Sequence, residues 1–420
     1  MKVEIVTIGD ELLLGFTVDT NSAHLARELA AIGVEITHRS SVGDNAADIA
    51  GAVKQALDRT GAVITTGGLG PTADDVTKPS IAALFGKAMY RDESIVDSMK
   101  ARWARLKRTG AFPESNIAQA MIPDGAVILP NRHGSAPGIW LEDERGRWVA
   151  MLPGVPREMR GLLADELLPR IRALVESQSH GEAPVIKSRT LRTTGVAESA
   201  LADQLGELAR GVDGMGVAFL PSVDSVDLRV TVRGVPAAEA DAMLQAAVLK
   251  LRNSAGRYVY GEEGADLAEI VLAACRKRGL RLAVAESCTG GMLGTRLTAV
   301  PGSSDVFLGG VIAYDNSVKR ELLGVTDADL EQHGAVSGEV ASAMAGAVRR
   351  MLKADIGIGI TGVAGPGGGT SAKPVGMVWV AIAGLRDEAR CLRLFGTRDE
   401  VRQRASQAAL DMVRHLLSTG

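Results

Sequence analysis

The sequence predicts two α/β domains joined by a small α+β unit, and three observations carry that prediction. Short β-branched runs alternate with single amphipathic helices from residue 2 to about 85, and again in the C-terminal third; such alternation marks parallel βαβ units. Residues 185–254 read instead as β-α-β-β-α. The 49 glycines among 420 residues exceed the roughly 7% of average composition and gather in clusters with no collagen-like period.

In chain order, Val3–Ile8 is a β-branched strand. A helix over Thr20–Ile32 sets Leu25, Leu29 and Ile32 on one face, with Gly33 as its cap. Val34–His38 is strand-like, Ala46–Arg59 is helical through Ile49, Val53 and Leu57, and Ala62–Thr66 is a third strand. Short strands are expected near Ile128, Ile139 and Val149, and one long helix from Pro156 to Glu176. The polar Ser177–Pro184 stretch reads as a linker. The middle unit is Ile186–Arg192, Ala197–Arg210, Gly216–Leu220, Val226–Arg233 and Ala237–Arg252, with a second boundary around Gly256–Gly264. Beyond it, strands at Leu282–Ala285, Gly310–Tyr314, Ile356–Ile360, Val375–Ile382 and Ala389–Leu394 alternate with helices, the last over Glu400–Leu417. The expected domains are therefore 1–176, 185–254 and 258–420.

Composition excludes several classes. With 46% apolar and 23% charged residues the chain is neither disordered nor fibrous. Forty-seven basic against 50 acidic residues leave a net charge of −3, which recommends neither a nucleic-acid nor a membrane-surface binder. Three cysteines, Cys275, Cys288 and Cys391, form no CxxC and no even framework. The start MKVEIVTIGDELL is a strand pattern rather than a signal peptide. The 17 uncharged residues 356–372 hold seven glycines and a proline, unsuited to a membrane span. A cytoplasmic protein is expected.

Glycine clusters at strand ends carry the candidate chemistry. GGLGPTADDVTK (67–78) follows a strand, so backbone N–H groups at Gly67, Gly68 and Gly70 can approach a phosphate. Asp74 and Asp75 are hard oxygen ligands for a divalent ion, and Lys78 offsets charge one turn on. Asp10, Glu11, Asp19 and Asn21, in GDELLLGFTVDTN (9–21), belong at the same strand ends, where open α/β sheets bind ligands; helix capping accounts for Asp19 better and for Asp10 equally well. In the C-terminal domain a strand runs into AESCTGGMLGT (285–295). Ser287 there lies at a strand-to-helix turn, with backbone N–H groups around Thr289, Gly290 and Gly291 placed to stabilise an oxyanion. No histidine accompanies it. Tyr314 and Lys319, in AYDNSVK (313–319), are the candidate general bases for that hydroxyl.

The segments GDELLLG, DTNS, TTGGLGPTADD, SAPG (135–138) and PGVPREM (153–159) together resemble the CinA family. The resemblance implies an N-terminal domain similar to the molybdopterin-binding domains of molybdenum cofactor biosynthesis, hydrolysing ADP-ribose to AMP and ribose 5-phosphate with a divalent metal (Mg, Mn or Co). By that analogy Asp10, Asp74 and Asp75 take metal or phosphate work, and Asn21, Gly67, Gly68, Gly70 and Lys78 hold substrate. The Ser287 and Tyr314 segments, with HGAVS (333–337), GITGVAGPGGGTSAKPVG (359–376) and FGTRDEVR (395–402), resemble the nicotinamide-nucleotide amidase domain. It converts nicotinamide mononucleotide to nicotinate mononucleotide and ammonia, and needs no cofactor. The resemblance makes Ser287 the nucleophile, Tyr314 and Lys319 its activating pair, Arg398 an anion contact, and the Gly362–Gly368 loop, with Thr361, Gly362 and Gly365, a substrate clasp beside Thr289–Gly291.

The middle unit resembles a KH fold, but eight basic and eight acidic residues over 185–254 leave no basic stripe. Its GxxG, Gly211–Gly214, contains Asp213, which would repel a phosphate. Nucleic acid is not an expected partner; a spacer or a homodimer element is. Two alternatives accompany the bifunctional nucleotide-salvage reading. One is a competence- or DNA-damage-associated adaptor contacting a recombinase, and the other is a pterin-binding N-terminal domain.

Overall fold

A computed structural model describes residues 1–106, 110–178 and 184–418. Part of the expected linker, residues 179–183, lies outside the described residues. The chain falls into two compact units, Met1–Lys187 with Val232–Met243, and Ser188–Thr231 with Leu244–Gly420.

The first unit is built on a six-stranded sheet in the order Glu35–Val42, Lys2–Ile8, Ala62–Thr66, Trp148–Leu152, Gly138–Glu142, Val127–Leu129. Its first four strands are parallel and the last two run antiparallel. Ala62–Thr66 is buried throughout, as expected of a central parallel strand with both faces covered. Helix Thr20–Ala31 starts where Asp19 accepts from the Ser22 N–H at 2.9 Å. Helix Ala46–Thr60 starts at an Asn45 cap and stops at Gly61, φ 73°. The long helix expected from Pro156 is observed, but it is interrupted by a π turn at Leu163–Leu167 before continuing over Leu168–Gln178. The extra residue in that turn lets Leu162, Leu163, Leu167 and Ile171 all bury in one core.

In the second unit a five-stranded sheet runs Phe307–Ile312, Leu282–Glu286, Ile356–Gly362, Met377–Ala383, Glu388–Arg393. The first three strands are parallel and the last two antiparallel. Helix Arg398–Ser418 packs Val401, Ala405, Ala409, Leu410 and Val413 into the same core as Ile356, Ile358 and Ile360. The strand expected at Gly310–Tyr314 is Phe307–Ile312; the Ala313 N–H makes the last ladder bond, to the Glu286 carbonyl at 2.8 Å, and Tyr314 lies on the loop beyond it. The α+β segment forms a four-stranded sheet, Val217–Pro221, Val226–Val235, Val185–Thr193, Val259–Glu262. Its last strand had no counterpart in the sequence reading. Among the described residues no helix is long and apolar enough to cross a membrane.

Candidate functional sites

In the first unit, the carboxyl ends of Lys2–Ile8, Ala62–Thr66 and Trp148–Leu152 open onto a cleft of about 770 Å³ lined by Gly67–Pro71, Asp74 and Asp75. Here the glycines are demanded by close packing. A Cβ on Gly67 would stand 2.1 Å from the Ile8 carbonyl oxygen, and one on Gly68 2.1 Å from Thr77 Oγ1. Two of the three expected phosphate donors are already used. Gly67 N–H donates to the Leu152 carbonyl at 3.1 Å and Gly70 N–H to Asp75 at 2.8 Å, which leaves Gly68.

Several assignments change in the same way. Asp75 also accepts from the Thr72 N–H and hydroxyl, so its carboxylate is the brace of the glycine loop rather than a free metal ligand. Asp10 is absent from the cleft wall; it accepts from the Asp44 N–H at 3.3 Å while its own N–H donates to Asp44 at 3.0 Å. Lys78 is buried, and its ammonium donates to the carbonyls of Ala118 and Gln119 at 2.7 and 3.0 Å, holding the 114–120 turn rather than facing a ligand. Burial pushes its pKa down to about 8. Asn21 donates to Thr66 Oγ1 and to the Gly154 carbonyl, at 3.2 and 2.7 Å, tying strand ends together.

Of the expected acids, Asp74 remains exposed on the cleft. The cleft wall also holds Glu11, which the sequence reading named, Glu158 of the PGVPREM segment, and Asp44 and Gln119, which it did not name. The Asp44 carboxyl is raised, first by burial and then, against a lowering Asp10 N–H bond, by the charges of Asp10, Glu11 and Asp74. Among the described residues no group of three or more His, Cys, Asp or Glu is placed to hold a metal alone. The carboxylates of Glu11, Asp44, Asp74 and Glu158 on the wall are hard oxygens of the kind a magnesium-like ion takes one or two at a time together with substrate phosphates, whereas Asp10 is off that wall and Asp75 is engaged by Gly70 and Thr72.

In the second unit, three neighbouring parallel strands end together, and each delivers part of a site. Leu282–Glu286 delivers Ser287, Phe307–Ile312 leads to Tyr314, and Ile356–Gly362 leads to Gly365. Arg398 ties two of these ends, donating to the Tyr314 hydroxyl and to the Gly365 carbonyl, both at 2.7 Å. Lys319 is 2% exposed, and its ammonium donates to the Tyr314 main-chain carbonyl at 3.1 Å rather than to the phenol. Burial lowers its pKa. Lys319 and Arg398 both act electrostatically on Cys288, the residue after Ser287. Burial nevertheless pushes the Cys288 thiol up to about 12, so it stays protonated and is no rival nucleophile.

The Ser287 turn rests on two residues that the sequence reading did not single out. Glu286, 1% exposed, accepts from the N–H groups of Gly291, Leu293 and Gly294 at 3.1, 3.1 and 2.8 Å. Arg402 donates twice to the Thr289 carbonyl, at 3.1 and 2.9 Å. The oxyanion donors are thereby narrowed. Gly291 N–H is spent on Glu286 and Gly290 N–H on the Ser287 carbonyl, whereas Thr289 keeps its N–H free among the described residues. Thr361 does not face outward; its hydroxyl donates to the Ala335 carbonyl at 2.7 Å, anchoring the 333–337 loop. Gly362 is required because a Cβ would stand 2.7 Å from the Met377 carbonyl oxygen.

Two strand-end sites on separate sheets define a multidomain α/β protein. Residues 4–173 match the family described as a probable molybdopterin binding domain, residues 188–261 the damage-inducible protein CinA KH domain, and residues 264–417 the CinA C-terminal domain. A CinA-like protein of Gemmatimonas aurantiaca is 60% identical over 417 residues, covering 99% of this chain and 96% of its own. A putative competence-damage inducible protein of Desulforudis audaxviator is 42% identical over 420 residues, covering 100% and 99%. The chain belongs to the CinA family. Among solved structures, a competence/damage inducible protein from Agrobacterium tumefaciens is 37% identical, covering 36% of this chain and 93% of that one, with a TM-score of 0.35.

Proposed function

We propose that the protein is a bifunctional pyridine-nucleotide hydrolase whose C-terminal domain deamidates nicotinamide mononucleotide. The observation that carries this reading is the convergence of Ser287, Lys319 and the Tyr314–Arg398–Gly365 bridge at three adjacent strand ends. Ser287 Oγ attacks the carboxamide carbon, and its proton passes to the neutral Lys319 amine. The Thr289 N–H stabilises the oxyanion. As the tetrahedral adduct collapses, the C–N bond breaks and Lys319 returns the proton to the departing nitrogen, releasing ammonia. Water then adds to the acyl-serine, freeing nicotinate mononucleotide and the hydroxyl. Arg398 takes the substrate phosphate. No cofactor enters this cycle.

For the N-terminal domain we propose hydrolysis of ADP-ribose to AMP and ribose 5-phosphate. The cleft carries Glu11, Asp44, Asp74 and Glu158, an acidic wall that would repel a bare diphosphate. A divalent ion held by Asp74, with Asp44 or Glu11, would polarise a phosphoryl oxygen when bound. The Gly68 N–H then contacts phosphate, while Trp103 and Phe112, edge to face with centroids 6.0 Å apart, offer an aromatic wall to the base.

Purified protein is expected to release ammonia from nicotinamide mononucleotide, and Ser287→Ala to stop it. Full activity in that variant would end the acyl-enzyme mechanism.

A further inference from the structure

The first unit holds a second cavity, beside the cleft and opposite to it in charge. It has a volume of about 620 Å³, within the roughly 300–1,000 Å³ of small-molecule sites. Helix Glu93–Arg105 forms one wall and the 130–137 loop another. Arg102, Arg105 and Arg132 line it, and among the described residues no acid does. On the cleft wall the balance is reversed: Arg102 stands there against Glu11, Asp44, Asp74, Asp75 and Glu158. Met99, Arg102, Gly134 and Ser135 belong to both walls, so the cavities adjoin while sorting charge in opposite senses.

Helix spacing and loop closure bring the three arginines to one place. Ser94, Ser98, Ala101 and Arg105 recur at three- and four-residue intervals and so share a helix face; Arg102 stands at its edge. The loop opposite is fixed from within and from both sides. Asn131 accepts from the His133 N–H at 2.9 Å and donates to the Ala136 carbonyl at 2.7 Å. Arg102 donates to the His133 carbonyl at 3.3 Å, and the His133 ring meets Asp165 at 2.9 Å. Arg132 is exposed between these anchored residues, and neither it nor exposed Arg105 has a hydrogen bond or ion pair among the described residues. The Ser98 and Ser135 hydroxyls are likewise unengaged there.

Basic residues in the last turn of a helix complement its dipole, which accounts for Arg102 and Arg105 but not for Arg132 on the loop. Guanidinium groups gathered around one cavity repel one another, and an anion between them turns that repulsion into attraction. Each guanidinium fork matches two phosphate oxygens, and serine hydroxyls can donate to the rest. The remaining wall is largely apolar, with Ile95, Ile128, Pro130 and Pro137. It offers surface to a carbon skeleton and no counter-charge to a second ionic group. The match is to one compact anion of about −1.5 to −2 charge, as a phosphomonoester carries at pH 7, attached to an apolar body.

From these observations we propose that this cavity binds a small organic phosphomonoester, its phosphate among Arg102, Arg105 and Arg132 and its carbon skeleton on Ile95, Ile128 and the two prolines. The site depends on neither proposed reaction. The test is calorimetric titration of the full-length protein with phenyl phosphate, inorganic phosphate and phenol, in metal-free buffer so that the acidic cleft repels phosphate. Wild type should bind phenyl phosphate at millimolar concentration or below, and inorganic phosphate and phenol each at least tenfold more weakly. The Arg105→Ala/Arg132→Ala double variant, whose two positions lie off the cleft wall, should bind phenyl phosphate at least tenfold more weakly than wild type. It should melt no lower than wild type, because both side chains are exposed and unbonded, so misfolding cannot mimic lost binding. Phenyl phosphate isotherms identical in the two proteins would place the ligand elsewhere and overturn the proposal. Absence of binding to wild type at millimolar concentration would overturn it too. Phenol binding as tightly as phenyl phosphate would leave the arginines no part, and inorganic phosphate binding as tightly would leave the apolar wall none; either result sinks it.

Discussion

At the scale of single residues, two lysines illustrate opposite uses of burial. Lys319 is buried with one carbonyl contact, and desolvation lowers its pKa from the ordinary 10.5. In the proposed role of general base it would act in its neutral form, so kcat/KM for ammonia release should rise with pH along a limb centred below 10.5. Lys319→Met should lower the rate about 10²–10⁴-fold and abolish that limb; a limb retained in the variant would assign the base elsewhere. Lys78 is also depressed, to about 8, but it faces the Ala118 and Gln119 carbonyls instead of a reaction centre. Its folded value lies below its unfolded one, so between pH 8 and 10.5 the unfolded chain binds more protons and stability rises with pH. At about 1.4 kcal/mol per pH unit the gain is at most about 3.4 kcal/mol. Urea unfolding of wild type and Lys78→Met across that window should show the rise only in wild type.

At the scale of elements, both sites depend on loops held by an acid on main-chain N–H groups. Glu286 takes three such groups at the start of helix Met292–Thr298, where negative charge also meets the helix dipole. Glu286→Gln keeps the shape but removes the charge. It should lower stability by about 2 kcal/mol and cut kcat for ammonia release more than it raises KM, because the Ser287 turn loses its alignment. An unchanged kcat would leave Glu286 a purely structural residue. The sequence made these loops visible as glycine clusters after β-branched runs, and with them Ser287, Tyr314 and Asp74 near strand ends and Lys319 a helical turn on, while Arg398 came from the family resemblance. It did not reveal which N–H groups and carboxylates were already spent. Asp10 and Asp75 look like metal ligands by residue type, yet their partners, Asp44 and Thr72, are set by loop closure, which no periodicity encodes. Asp44 was missed for the complementary reason: it sits in a short turn after Glu35–Val42 and reaches the cleft only because that strand pairs beside Lys2–Ile8. Helix Glu93–Arg105 went unread as well, because it buries little beyond Val96 and Met99.

At the scale of the whole molecule, two sheets with separate cores each present a strand-end site, so the two proposed reactions should be separable by chemistry and by mutation. The acidic cleft would repel a diphosphate without a counter-charge, whereas in the proposed amidase reaction Ser287, Lys319 and Arg398 serve as nucleophile, base and phosphate contact. EDTA should therefore stop AMP release from ADP-ribose and leave ammonia release from nicotinamide mononucleotide unchanged, with magnesium, manganese or cobalt restoring the first activity. Asp74→Asn should reproduce the EDTA effect at saturating magnesium, lowering AMP formation at least about 10²-fold, the loss expected when charge stabilisation at a phosphoryl centre is removed. Asp75→Asn should act differently: losing the brace on Gly70 and Thr72 should raise KM for ADP-ribose and lower the melting temperature of the first unit. Both rates are to be measured on one full-length preparation of each variant. Loss of both activities on chelation, or equal kinetic behaviour of the Asp74 and Asp75 variants, would mean that the two carboxylates do not divide the work as the hydrogen bonds around them imply.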